Sequence, residues 1–259
     1  MLTLSDQELL RFDRQITLQD FDIDKQQILK NSTVLIIGLG GLGCAAAVYL
    51  TASGIGKLTL NDFDTISESN LNRQILYTQQ SIKQYKVEIA KQALGNINAN
   101  MIIEAINQKL SDNELISLIK QYDIVIDCTD NLTSREQINR CCFIEKKPLV
   151  SGAAIRMEGL LSVFNYQDNQ PCYQCLSQLF GKNQLTCIEA GVMAPLVGMF
   201  GSMQALEAIK VLTHYGKPLI GRVLMVDCMT MEFNQFTFSK QSNCIVCGNQ
   251  HAKEVLKCN

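Results

Sequence analysis

The chain has 259 residues, 47% hydrophobic and 19% charged, with 23 Lys plus Arg against 25 Asp plus Glu and a formal charge of −2. That balance excludes disorder and collagen-like repeats, and it lacks the basic excess of a nucleic-acid footprint. Eleven cysteines beside two histidines and no tryptophan form an odd set in a chain long for a disulfide scaffold, which points to a reducing compartment and metal.

Residues Met1 to Lys30 lack the basic start and apolar run of a signal peptide, so no export is expected. Spacing of Leu9, Leu10 and Phe12 predicts one helix over 5–30. Thr33 to Gly38 is then an apolar, β-branched strand, followed by a glycine-rich turn and a small-residue helix over 44–53. Strands are expected at 57–62, 101–107, 123–130 and 148–152, with helices at 81–97, 111–121 and 132–146 between them. Such alternation is the pattern of an α/β fold, a Rossmann-like, doubly wound, mostly parallel sheet.

After Ala153 the strand signals over 159–166 and 221–238 lack intervening helices, so antiparallel strands should extend the sheet. One long helix is expected over 192–214. The uncharged run Ala190 to Leu206 is broken by Pro195, Ser202 and Gln204, too short for a membrane span. With no linker or repeat, residues 1–259 are read as one domain. Its nucleotide-binding half is 1–153, and 154–259 form an antiparallel extension with a crossover loop.

Gly38, Gly40 and Gly43 match G-x-G-x-x-G between strand and helix, where backbone N–H groups and a helix N-terminus receive phosphate. Gly41 lies inside this turn. Asp62, nineteen positions after Gly43, ends the next strand where a carboxylate can accept from ribose hydroxyls. The loop alone leaves NAD, FAD and ATP open. Ser69, Asn70, Leu71, Asn72 and Arg73, followed by Lys86, add amides and two cations suited to phosphate oxygens. Asp130 and Asn131 follow a further strand end, with Asp130 able to hold the Mg²⁺ of a triphosphate. A dehydrogenase, the reading supported by the glycine loop and Asp62 alone, has no use for this set.

Cys172-x-x-Cys175 and Cys244-x-x-Cys247, with 68 residues between the inner cysteines, are two C-x₂-C pairs that together make a four-thiolate Zn²⁺ site. Such a closed site is assigned to stability, not catalysis. Cys44, Cys128, Cys141, Cys142 and Cys228 lie on predicted elements and read as core residues. His214 and His251 lack ligand spacing to the cysteine pairs and read as surface residues. Met193, Met199 and Met203 lie on the long helix and read first as core packing, second as an adaptable apolar wall for a partner.

Gly38 to Gly43, Asp62 to Thr65, Ser69 to Gln74, Lys86 and Asp127 to Asn131 together resemble the nucleotide site of the MoeB/ThiF family, kin of ubiquitin-activating enzymes. The resemblance runs from Arg11–Gln15 through Pro171–Cys175 and Leu185–Pro195 to Cys244–Cys247. Ser151 to Gly159 resembles the molybdopterin-synthase branch more than the thiamine-pathway branch, which shares every site residue. The resemblance implies ATP- and Mg²⁺-dependent adenylation of the Gly-Gly C-terminus of a small ubiquitin-like sulfur carrier, the molybdopterin-synthase small subunit, with release of pyrophosphate.

It further implies catalysis by Arg73, Lys86 and Asp130 without a general base. A cytoplasmic homodimer is implied, in which Arg14 reaches the neighbouring subunit's nucleotide, with no membrane or nucleic-acid partner. Cys187, before the long helix, stands where related enzymes place a thioester- or persulfide-forming thiol, or is a bystander. Sulfur is expected to come from a separate sulfurtransferase.

Overall fold

A computed structural model describes residues 2–180 and 190–248. At its centre is an eight-stranded sheet in the order β3-β2-β1-β4-β5-β6-β7-β8. Strands β1 (Thr33–Ile37), β2 (Lys57–Asn61), β3 (Ile102–Ile106), β4 (Ile124–Asp127) and the start of β5 (Leu149–Ile155) are parallel. Strands β6 (Glu158–Phe164), β7 (Arg222–Asp227) and β8 (Glu232–Thr237) continue beyond β5 as antiparallel neighbours. The expected strand over 221–238 is thus a hairpin, turned at Met231 with φ +59°.

Alternate residues of each central strand enter opposite layers, because successive side chains leave opposite faces. Val34 and Ile36 pack against α3 (Asp22–Asn31), α4 (Gly41–Ala52), α5 (Lys86–Ile97) and α9 (Ala194–Thr213), whereas Leu35 and Ile37 face α6 (Asp112–Ile119), α7 (Leu132–Glu145) and α8 (Tyr173–Ser177). Both layers are covered, which is why the strands read as unbroken apolar runs. Each fully buried Leu or Ile contributes ~1.5–3 kcal/mol, so this two-sided core fixes the strand register. Among the described residues no helix is long and apolar enough to cross a membrane.

The N-terminal region departs from the expected single helix over 5–30. It forms α1 (Asp6–Arg11), α2 (Asp13–Ile16) and α3. Ser5 and Glu8 close a capping box on α1. The chain then breaks at Phe12, whose ring is buried beneath Gly54, and turns through Asp20 and Asp22, both at positive φ, to bury Phe21. Burial of two phenylalanines outweighs helix continuity here. The expected helix over 81–97 begins instead at Lys86, because Ile66 exchanges backbone bonds with Lys83 and Gln84 and holds 82–84 in a turn, with Lys83 at φ +70°.

Candidate active site

The strand order reverses direction beside β1, between β2 and β4, and crevices of this kind form beyond the carboxyl ends of such strands. A cleft of about 180 Å³ lies there. Its floor is the β1–α4 turn. Gly38 adopts φ +92°, and a Cβ on it would meet the Cys128 carbonyl oxygen at 2.8 Å. A Cβ on Gly43 would drive into the carbonyl oxygen of Gly38. Gly40 is different: a Cβ there has one neighbour within 4 Å, the Gln74 amide at 3.9 Å, and otherwise meets open space. Gly40 is also the N-cap of α4 and supplies no side-chain cap, and Gly40, Gly41 and Leu42 line the cleft, so the uncapped first turn of the helix borders it.

Asp62, at the end of β2, braces this turn. Its Oδ2 accepts from the Leu39 N–H at 2.7 Å and its Oδ1 from the Asp64 N–H at 2.9 Å. The Leu39 carbonyl accepts from the buried Tyr77 hydroxyl at 2.9 Å. Lys86, first residue of α5 and buried, donates to Asp64 Oδ2 at 2.8 Å and lies 3.9 Å from Asp62 Oδ2. Burial raises the Asp62 carboxyl above its usual 3.8, opposed by the Lys86 charge. The expected ribose acceptor is therefore already engaged with the turn and with Lys86, and half-exposed Asp64 is the freer carboxylate at this strand end.

The motif 69–74 divides its labour. Asn70 Oδ1 accepts from the Ser67 N–H, closing a single helical turn, and Leu71 packs on the core. That turn carries Arg73, whose Nη1 donates to the Ser69 carbonyl at 2.7 Å and to Asn72 Oδ1 at 3.0 Å. Arg73 lines the cleft, whereas Ser69, Asn70, Leu71, Asn72 and Gly43 do not.

On the opposite wall, Asp127 ends β4 fully buried. It accepts from the Thr129 N–H and Oγ1 at 3.0 and 2.7 Å and from Ser151 Oγ on β5 at 2.9 Å. Gln204 of α9 donates to the Asp127 carbonyl and accepts from Cys128 Sγ. This bracing presents Asp130, exposed, into the cleft beside Asn131, which caps α7 through the Ser134 N–H.

Sequence reasoning passed over Arg135 and Lys109 and gave no individual role to Gln74 and Thr129 within its motifs; all four also line the cleft. Arg135 was discoverable, since it stands one helical turn after the Asn131 cap. A second pocket of about 320 Å³, walled mainly by apolar residues of β5 and β6 with Tyr173 and Phe180, shares Asp130, Asn131, Arg135 and Ala154 with the first.

Arg14, on α2, does not line this cleft. Its side chain is 95% exposed and is paired only with its neighbour Asp13 at 3.6 Å among the described residues. Cys187, His251 and Cys258 lie outside the described residues. His214 is exposed at the C-cap of α9, and of the three methionines Met193 is exposed while Met199 and Met203 pack on the core.

The four cysteines of the two C-x₂-C pairs are buried with all Sγ atoms within 4.8 Å of one another, Cys172 to Cys244 at 3.6 Å and Cys175 to Cys247 at 3.4 Å. A tetrahedron with ~2.3 Å metal–sulfur bonds has edges of ~3.8 Å, so the cluster fits a four-thiolate metal ion. Hydrogen bonding from Cys172 draws Cys175 down to about 6 and lowers Cys244, while hydrogen bonds with Cys175 and Cys244 push Cys172 and Cys247 up. Four thiolates at this spacing need a dication to coexist. Cys44, Cys128, Cys141 and Cys142 are buried core thiols raised by desolvation, Cys44 and Cys141 to about 12. Cys228 is half-buried.

The family model of the ThiF family matches residues 12–246. Over 248 residues the chain is 57% identical to the molybdopterin-synthase adenylyltransferase of Escherichia coli (strain K12), covering 96% of this chain and all of that one. It is 39% identical to the adenylyltransferase and sulfurtransferase MOCS3 of Drosophila willistoni, covering 95% of this chain and 55% of that protein. Among solved structures, PaaA superposes with a TM-score of 0.79 at 25% identity, over 93% of this chain and 76% of that one. The chain belongs to the ThiF family.

Proposed function

We propose that this chain is an adenylyltransferase that joins AMP to the C-terminal glycine of the small ubiquitin-like sulfur-carrier subunit of molybdopterin synthase, in molybdenum cofactor biosynthesis. The observation that carries the reading is a phosphate-ready turn and an apolar pocket meeting at Asp130, in a chain 57% identical over nearly its full length to an enzyme named for that activity. Residues 1–259 act as one domain, supported by the single sheet that runs through both halves.

ATP sits with its phosphates over the N-terminus of α4, between Arg73 and Lys86. The carrier's terminal carboxylate, with a pKa near 3.5, is ionised at neutral pH and needs no general base. Its oxygen attacks the α-phosphorus, the bond from that phosphorus to the bridging oxygen breaks, and the electron pair leaves on pyrophosphate. No proton moves. Catalysis is alignment plus neutralisation of charge moving onto the leaving group by Arg73 and Lys86. Asp130 would hold Mg²⁺, which when bound screens phosphate charge.

Arg14 of a second copy completes the site in a homodimer, a role supported by its full exposure and its absence from its own cleft. The carrier docks along the outer hairpin, where Met229, Met231, Phe233 and Phe236 are exposed near the end of the sheet. Sulfur is delivered by a separate sulfurtransferase. Zn²⁺ occupies the four-cysteine cluster structurally. Nine described cysteines without a disulfide fit a cytoplasmic protein.

Carrier-dependent ATP–pyrophosphate exchange with the molybdopterin-synthase small subunit tests the reading. Wild type exchanges, Arg73→Ala loses ~10²- to 10³-fold in rate, and Cys187→Ala exchanges normally because adenylation uses no thiol. Absence of exchange in wild type overturns the proposal.

A further inference from the structure

We propose that Arg135 is the receptor for the carboxylate of the carrier's C-terminal glycine. The inference rests on the adenylation reading above and names the group that brings the nucleophile to the nucleotide. The cleft and the apolar pocket meet at four residues, Asp130, Asn131, Arg135 and Ala154. Of these, Arg135 alone is cationic. Arg73, Lys86 and Lys109 line the nucleotide cleft and not the apolar pocket, whereas Arg156 lines the apolar pocket and not the cleft. Phosphate-binding cations are thus spatially separate from the cation at the junction.

A carboxylate must approach a triphosphate of its own sign, and in a partly dehydrated site that repulsion is strong. A cation at the junction offsets it. A guanidinium suits the task, since its planar fork pairs with both carboxylate oxygens and fixes which one faces the phosphorus. Arg135 is also preorganised. Its Nη2 donates to the Thr129 carbonyl at 2.8 Å, and Thr129 is held through its N–H and hydroxyl by Asp127, itself tied to Ser151 of β5. Burial raises the phenol of Tyr173, which lines the apolar pocket, and the nearby Arg135 charge opposes that rise. The guanidinium is therefore anchored between the Asp130 turn and the wall along which a tail would enter.

The test compares two forms of the molybdopterin-synthase small subunit, one with its free C-terminal carboxylate and one semisynthetic with a C-terminal carboxamide, binding to the full-length enzyme by calorimetry with Mg²⁺ and AMP-CPP present. Wild type prefers the acid by ~10-fold or more. Arg135→Gln, which keeps a donor for the Thr129 carbonyl but not the charge, binds acid and amide alike. Arg135→Lys recovers part of the preference, and MgATP affinity stays within about twofold of wild type in both variants. In exchange assays KM for the carrier rises more than kcat falls.

A preference for the acid that survives in Arg135→Gln overturns the proposal. So does a parallel loss of MgATP affinity, which would make Arg135 a phosphate ligand. Failure of wild type to catalyse exchange with the free acid refutes the adenylation reading instead.

Discussion

Two glycines three residues apart in the β1–α4 turn should respond in opposite ways to the same added methyl group. In Gly43→Ala the new Cβ lands on the Gly38 carbonyl oxygen, inside the 3.0 Å that Cβ contacts do not breach, and the atom it meets is backbone that cannot swing away. Overpacking of this kind costs ~3 kcal/mol, or ~6–12 °C in Tm for a chain of this length. In Gly40→Ala the Cβ sits 3.9 Å from the Gln74 amide at φ −75°, so the fold accepts it. Loss of a glycine N-cap and the gain in backbone stiffness each amount to less than ~1 kcal/mol and oppose each other. That methyl instead fills the space a phosphate needs against the α4 N–H groups. Loss of one charge-assisted bond is worth ~1.5–3 kcal/mol, a ~10- to 150-fold rise in the MgATP dissociation constant. Differential scanning calorimetry and isothermal titration with MgATP separate the two effects. A Gly40→Ala enzyme of wild-type stability that binds MgATP as tightly as wild type refutes this turn as the phosphate seat.

Three further outcomes are expected. Lys86→Met removes the cation beside buried Asp62, which keeps two N–H donors; with Asp64 half exposed, the loss is ~1–2 kcal/mol at pH 7. Because the variant raises the Asp62 midpoint further above 3.8, the folded form holds the proton more tightly than the unfolded one, and urea melts should show the deficit shrinking as pH falls toward 4. Mixing inactive Arg14→Ala and Asp130→Ala chains should restore about a quarter of wild-type exchange, as half the dimers are mixed and each has one intact site; no recovery argues against a site shared between copies. Cys244→Ser should leave the purified chain without zinc by elemental analysis and lower Tm by several degrees, whereas an unchanged zinc content removes the four-cysteine assignment.

The parallel half of the fold was legible because both faces of β1 and β4 are covered, so Val34–Ile37 and Ile124–Asp127 appear as unbroken apolar runs bounded by glycine or acid. The start of α5 was not legible, since the backbone bonds from Ile66 to Lys83 and Gln84 come from a segment 17 and 18 residues away and leave no local mark. Nor was the break at Phe12, which is decided by the space under Gly54. Within the candidate site, residues at strand ends were found by spacing. Arg135 was not, because its place at the junction of two pockets depends on where β5, β6 and Tyr173 lie. The motif 69–72 does not line the cleft itself; the Asn70 amide closes the turn that carries Arg73, and the Asn72 amide with the Ser69 carbonyl holds its guanidinium.

The four-cysteine cluster has a polymer consequence. Cys172 and Cys244 are 72 residues apart, and the span between them carries α9 and the β7–β8 hairpin. Tying the ends of such a loop through a shared ion removes chain entropy from the unfolded state worth ~4 kcal/mol at 25 °C. The enclosed segment includes Gln204, which grips the Asp127 carbonyl from α9. A metal held by these four cysteines, none of which lines the nucleotide cleft, would set how often the segment bracing the Asp130 turn detaches, and chelation should reach the nucleotide site as a loosening of that turn rather than as a missing ligand.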